Sequence, residues 1–358
     1  MIDHEISLLY SVQPSIGFTK LRCPMPVSDE LFLLEKEENW ADLVDKWSNE
    51  GWPTTTLHPP SLPEFYRLFL RHDFLHLNLY VTPLQLRLLL CAIQPQVSQY
   101  SESYRFIPLE ERFSSSSSVS GAGDFMQLRQ LEELENMLVK WNILAERVFA
   151  AQPGADLKVS CLLISQLMWL ELYICFDDVQ LIAGKEGYKV GRPYLTQLQQ
   201  WAQSSYARKA IAHAGNVIWI LQTSGDDYLR PVWWPVAVSR VALIMWCYIV
   251  GLYLSTGNTT GIDDDMLRRA PLISLNDPTT DFNPHGRILQ PGEGIPCIQT
   301  ICKTLIPLHD VPALFDFYIE VLEDSKRPDT PILQSSRQFL LDIKGCGIPY
   351  VGDESLQH

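Results

Sequence analysis

A chain of 358 residues in which 46% of side chains are apolar can bury a sizeable core, which sets aside a disordered regulator. Its 28 basic and 42 acidic residues leave a net charge of −14. A surface of that sign repels the phosphate backbone that dominates nucleic-acid affinity, so the chain as it stands is a poor DNA-binding unit.

The first residues, MIDHEISLLYSVQP, carry acids and no basic leader region, so they are not a secretory signal. The eight cysteines have no framework spacing and read as reduced, buried thiols. Helical text begins at Val27 and runs to Asn49, with Ser28 as its cap and Leu31, Leu34, Trp40, Leu43 and Trp47 as its apolar set; Gly51-Trp52-Pro53 ends it. Segments 63–76 and 83–93 each open on a proline at a first-turn position, where the missing N–H costs nothing. Pro95 to Gly123 is the one low-complexity break, and the serines from Ser114 to Ser118 read as a flexible linker. Asp124 then caps a helix, with Gln127 as its capping-box partner. Leu131, Leu134, Leu138, Trp141, Ala145 and Val148 form its buried stripe.

Asp156 opens a helix that is apolar on most sides and runs to about Ala183. A turn carrying Gly184, Gly187, Gly191 and Pro193 follows, and helical text resumes at Leu195. The helix from Ser204 places Ala207, Ile211, Ala214, Ile218 and Leu221 on one stripe. Gly215 beside that stripe costs about 1 kcal/mol relative to alanine, which a closely approaching neighbour helix offsets. Val232 to Leu254 is long enough to span a bilayer. Arg240 inside it would cost about 2.5–3.5 kcal/mol there, so the stretch reads as a core helix. Residues 258–294 read as a surface loop with one helical piece at 263–269, and helices resume over 295–308, 311–323 and 331–343. Neither a useful strand pattern nor a fixed-period repeat is expected. The fold class is therefore all-α, an array of packed helices with one long irregular loop. Its parts are 1–93, a linker at 94–123, a core at 124–257, the loop at 258–294, C-terminal helices at 295–345 and a tail at 346–358.

Reactive chemistry is hard to place on this text. Gly121-Ala122-Gly123 lacks the third glycine of a dinucleotide fingerprint, because position 126 is Met126, and Gly184-Lys185-Glu186 lacks the P-loop hydroxyl. Asp177-Asp178 would suit a magnesium-dependent prenyl-diphosphate cyclase, the alternative function from an enzyme class, but the third ligand position holds Leu181. Cys297, Cys302 and His309 suggest zinc by type. Five residues on a helix turn the two cysteines about 140° apart, which does not grip one ion. No catalytic, cofactor or metal residues are assigned. Arg208-Lys209 and Arg268-Arg269 are isolated solvated pairs. Trp201, His213, Trp233, Trp234 and Arg240 are the candidates for a pocket wall or a partner contact, since aromatic side chains line such clefts.

The order of residues from Phe176 to Leu221, with Trp201-Ala202-Gln203-Ser204, Ala207-Arg208-Lys209-Ala210 and His213-Ala214-Gly215, resembles the regulatory region of fungal-specific transcription factors, closest to those with C2H2 zinc fingers. Met25-Pro26, Ser28-Asp29-Glu30-Leu31, Trp40, Pro231, Trp233-Trp234-Pro235 and Ser239-Arg240-Val241-Ala242-Leu243 extend the likeness. It covers roughly 18–325 and is loose after 257. It implies a helical, non-enzymatic regulator of RNA polymerase II transcription in the nucleus, in a metabolic or secondary-metabolite pathway. The implied partners are proteins of the transcription machinery or a related factor, including a dimer, with neither nucleic acid nor membrane bound directly. No zinc module precedes residue 20, so the chain is expected to begin mid-domain, with zinc confined to a DNA-binding module it lacks.

Overall fold

The computed structural model describes residues 2–10, 14–15, 17–26, 37–49, 59–71, 73–77, 79–104, 122–152, 156–224, 230–257, 270–277, 290, 293–323 and 329–346. The fold is mainly helical, with one small sheet. Backbone contacts divide it into two units, 1–99 with 131–165, and 100–130 with 166–358.

In the first unit, α1 (Ile2–Tyr10) lies with α2 (Glu37–Asn49), α3 (Leu62–Leu70) and the first part of α4 (Pro83–Tyr104). The greater parts of α5 (Ala122–Ala151) and the start of α6 (Lys158–Tyr173) complete it. Ser61 and Glu64 form a capping box at α3, the Ser61 N–H donating to the Glu64 carboxylate at 2.9 Å. The other end of α3 is closed by Lys140 of α5, whose Nζ donates to the Phe69 and Arg71 carbonyls and sits over the rings of Phe69 and Phe74. Trp141 is fully buried and donates its indole N–H to the Leu86 carbonyl at 3.1 Å. α1 is fastened to α4 by Gln94 Nε2 donating to the His4 carbonyl at 2.9 Å and by a 2.8 Å Arg87–Glu5 ion pair whose arginine is 2% exposed.

Three expectations change here. Helical structure runs through Pro95 to Tyr104, so the break starts later than Pro95; only the hydrogen bond that the proline N–H would give is lost. α5 already includes Ala122, so Asp124 lies within the helix and is not its cap. Trp40 is 49% exposed, in contrast to its reading as a core residue. Ser28, Leu31, Leu34, the Ser114–Ser118 run and the 263–269 piece lie outside the described residues.

The second unit is organised around α10 (Trp234–Thr256). Against it pack α7 (Phe176–Ile182), α8 (Leu195–Gln203), α9 (Ser205–Thr223), α11 (Val311–Glu323) and α12 (Pro331–Cys346). α10 is long and apolar enough to cross a bilayer, and 83% of its apolar window is buried inside the structure. Its α8 crossing is close: a Cβ at Gly251 would lie 2.5 Å from the Ala202 Cβ and 2.7 Å from the Leu198 carbonyl oxygen. Ser204 caps α9 by accepting from the Ala207 N–H, and Gly257 closes α10 in the left-handed conformation.

The all-helical expectation fails in one place. Residues 295–308, read as a helix, form β2 (Ile295–Gln299) and β3 (Leu305–Pro307), which join β1 (Leu272–Ser274) in the order β1-β2-β3. β1 runs parallel to β2 and β3 antiparallel. Pro296 and Pro307 oppose a helix, and β-branched Ile295, Ile298, Thr300, Thr304 and Ile306 favour extension. Strands of three to five residues are too short to show an alternating pattern. Asn276 locks the sheet to α9. Its Nδ2 donates to Gln222 Oε1 and the Gln299 carbonyl, both at 2.8 Å, while its Oδ1 accepts from the Gln299 N–H at 2.7 Å. The neighbour that explains Gly215 is this segment and not a helix, since a Cβ at 215 would sit 2.3 Å from the Leu275 carbonyl oxygen.

Gly251→Ala is expected to destabilise the protein by about 1–3 kcal/mol through overpacking against α8. Gly345→Ala, with open space around its Cβ, is expected to be neutral or stabilising by up to about 1 kcal/mol. Urea unfolding of the two variants against the parent checks the contrast. Burial pulls the His4 pKa below its ordinary 6.5. The unfolded chain therefore takes up a proton first, and stability is intact above about pH 6.5 and lost as pH falls through and below it. Amide exchange in α1 should accelerate between pH 7 and 5, and less so in His4→Asn.

Candidate functional site

The informative stretch is built on a break. The apolar text from 156 to 183 is not one helix: α6 stops at Tyr173, Cys175 is extended (φ −76°, ψ 112°), and α7 leaves at 74° to α6. Neither proline nor glycine marks the spot. The bend takes the Tyr173 carbonyl out of the helical ladder, and the indole N–H of Trp201, from α8, donates to it at 2.9 Å. Trp201 is 4% exposed and meets Tyr248 of α10 edge-on at 6.4 Å. α7 ends at Gly184 and Gly187, both at positive φ (88° and 89°), which let the chain turn back through a single helical turn at Tyr188–Gly191. At Gly184 the Tyr188 ring occupies the Cβ position, 2.8 Å away.

Between the break and α8 lies a cleft of about 50 Å³. Tyr173, Tyr194 and Trp201 give it aromatic walls; Val179, Ile182 and Leu198 are among its apolar lining, and Asp178 and Gln197 are its polar groups.

Behind the cleft sits a buried polar layer. His213 is fully buried, with Nδ1 2.8 Å from Gln166 Oε1; the amide oxygen only accepts, so Nδ1 carries the proton. Its ring stacks on Trp169 at 4.8 Å and lies 5.8 Å from Tyr173. The other face of this aromatic group is met by Lys209, whose Nζ is 5.2 Å from the Tyr173 ring. Arg240 is 5% exposed and lies over the Phe176 ring at 4.2 Å. Burial pulls its pKa down to about 10, opposed by the charge of Glu171. A buried arginine held by a ring on α7 ties the broken segment to the core helix.

Of the five residues picked out in the sequence, Trp201 lines the cleft, while His213 and Arg240 sit in the layer behind it. Trp233 and Trp234 stand at the start of α10, 6% and 4% exposed, with Arg230 over Trp234 at 5.1 Å. Tyr173, Asp178, Tyr194 and Gln197 were not among them. Asp177 and Asp178 fall in the first turn of α7. Cys297 is buried in β2 and Cys302 exposed in the following turn, so the helical spacing assumed for them does not apply. Among the described residues no group of three or more His, Cys, Asp or Glu side chains could hold a metal ion.

Comparison with known proteins completes the picture. A transcription factor of Zymoseptoria tritici is 25% identical over 342 residues, 90% of this chain and 34% of that protein. Transcription factor PfmaH of Pestalotiopsis fici is 29% identical over 251 residues, 69% of this chain and 25% of that protein. The chain belongs to a family of fungal transcription factors. It spans about a third of the Zymoseptoria relative and about a quarter of the Pestalotiopsis one. Transcription factor opdJ of Penicillium oxalicum is 23% identical over 91% of the chain. No family model and no solved structure matches. Within this transcription-factor family member, then, the residues at the break are held by backbone and packing bonds rather than arranged around a reactive group.

The Trp201 bond can be weighed against an internal control. Trp233 Nε1 is buried with no hydrogen-bond partner among the described residues. Trp201→Phe and Trp233→Phe remove similar ring volume, but only the first orphans a buried carbonyl. Trp201→Phe is expected to cost about 1–3 kcal/mol more than Trp233→Phe in chemical denaturation.

Proposed function

We propose that this chain is the regulatory part of a fungal transcription factor of the C2H2 zinc-finger type. It acts in the nucleus on RNA polymerase II transcription of a metabolic or secondary-metabolite pathway. Its work is done by protein contacts and by the cleft between helices, not by catalysis. The observation that carries this reading is that relatives matching 69–91% of the chain are named transcription factors. The net charge of −14 supports a division of labour in which DNA is held by a separate zinc-bearing module, and this region contacts the transcription machinery or a related factor, including a second copy.

The test couples two measurements. In gel shift at physiological salt, the chain alone should leave duplex DNA unretarded. Tethered to an unrelated DNA-binding domain, it should change transcription of a reporter. Tight, salt-resistant binding of the chain alone to one duplex would contradict the division of labour. A tethered chain without effect on the reporter would contradict the regulatory role.

A further inference from the structure

We infer that the cleft at the α6–α7 break is a binding site for a small, uncharged aromatic alcohol. Size comes first. The cavity of about 50 Å³ compares with the roughly 10–15 Å³ that one water needs. That is room for a few waters, or for one ring whose far edge reaches solvent. Shape and surface follow. Tyr173, Tyr194 and Trp201 offer ring faces and edges, and Val179 and Leu198 are buried aliphatic side chains, so waters in the cleft find few partners and are displaced at little loss.

Charge selects among aromatic ligands. Asp178 is half-buried at the cleft, and a carboxylate there repels an anion and accepts from a hydroxyl. A cation is disfavoured from the other side, because Lys209 already lies over the Tyr173 ring at 5.2 Å. The Trp201 N–H is committed to the Tyr173 carbonyl, so that wall presents its ring and not a donor. A ring with one hydroxyl meets each of these conditions.

The assignment rests on the regulatory reading for its consequence. A ligand seated there touches α7 and α8 together, braces the break, and stabilises the segment that Phe176 fastens to Arg240 of α10.

The experiment titrates the full chain with phenol, toluene and benzoate, read by ligand saturation-transfer NMR and by Tm. Phenol should saturate below on the order of 10 mM, raise Tm, and bind about tenfold tighter than toluene or benzoate. Asp178→Ala should weaken phenol about tenfold and leave toluene unchanged. Gln197→Trp, a half-buried position at the mouth, should abolish both. Equal binding of the three probes to the unaltered chain, or no saturation by phenol, overturns the site whatever the variants do. Phenol binding that survives both substitutions overturns it as well. The tethered reporter separates the two proposals. An active reporter without phenol binding sinks the site alone, and a silent reporter with the phenol ranking intact sinks the regulatory role alone.

Discussion

One hydrogen bond organises the region on which everything else depends. When a helix bends as sharply as 74° without proline or glycine, a carbonyl leaves its ladder and must be satisfied from outside. Here the donor is the Trp201 indole, brought in by a helix from the other side of a glycine-rich turn. The bond closes the floor of the cleft and sets how far α8 stands from α7. The tight seat of α8 on Gly251 then fixes that distance against the core helix. Loosening any one of these contacts moves the other two.

The same region carries polar groups that an apolar core would not need for stability. Arg240 is buried in the core helix, and burial alone pulls its proton affinity down. A ring and a carboxylate stand against that penalty. Replacing such an arrangement with apolar side chains is often neutral or stabilising. The His213–Gln166 bond, buried against Trp169, is of the same kind. Arrangements of this sort fix one geometry of the segment around the break, which suits a region whose task is to present a shaped surface. They supply no nucleophile and no assembled acid–base pair.

Much of this was legible in the residues. The stripes of α5 and α9, the Ser204 cap and the buried character of α10 follow from periodicity and capping chemistry, and they appear where the pattern puts them. The sheet was illegible because Ile295 to Gln299 and Leu305 to Pro307 are shorter than the period needed to recognise them, and their partner strand lies at 272–274. The break at Cys175 was illegible for a different reason. Nothing in Tyr173-Ile174-Cys175 opposes a helix; the bend is imposed by tertiary structure, through a tryptophan 28 positions away. The cleft inherits that blindness. Trp201 could be picked out as a large aromatic side chain near a glycine turn, but Tyr173, Asp178 and Gln197 become neighbours of it only once the helix is broken.

The central claim is that the Trp201 indole N–H is held by the Tyr173 carbonyl inside a packed wall. Its exchange with solvent can be followed directly by proton NMR in D2O, with assignment from Trp201→Phe. The account predicts an indole proton that outlasts those of exposed tryptophans such as Trp40 by orders of magnitude. Exchange at the rate of an exposed indole would mean that the break is not closed by this bond, and the description of the cleft would fall with it.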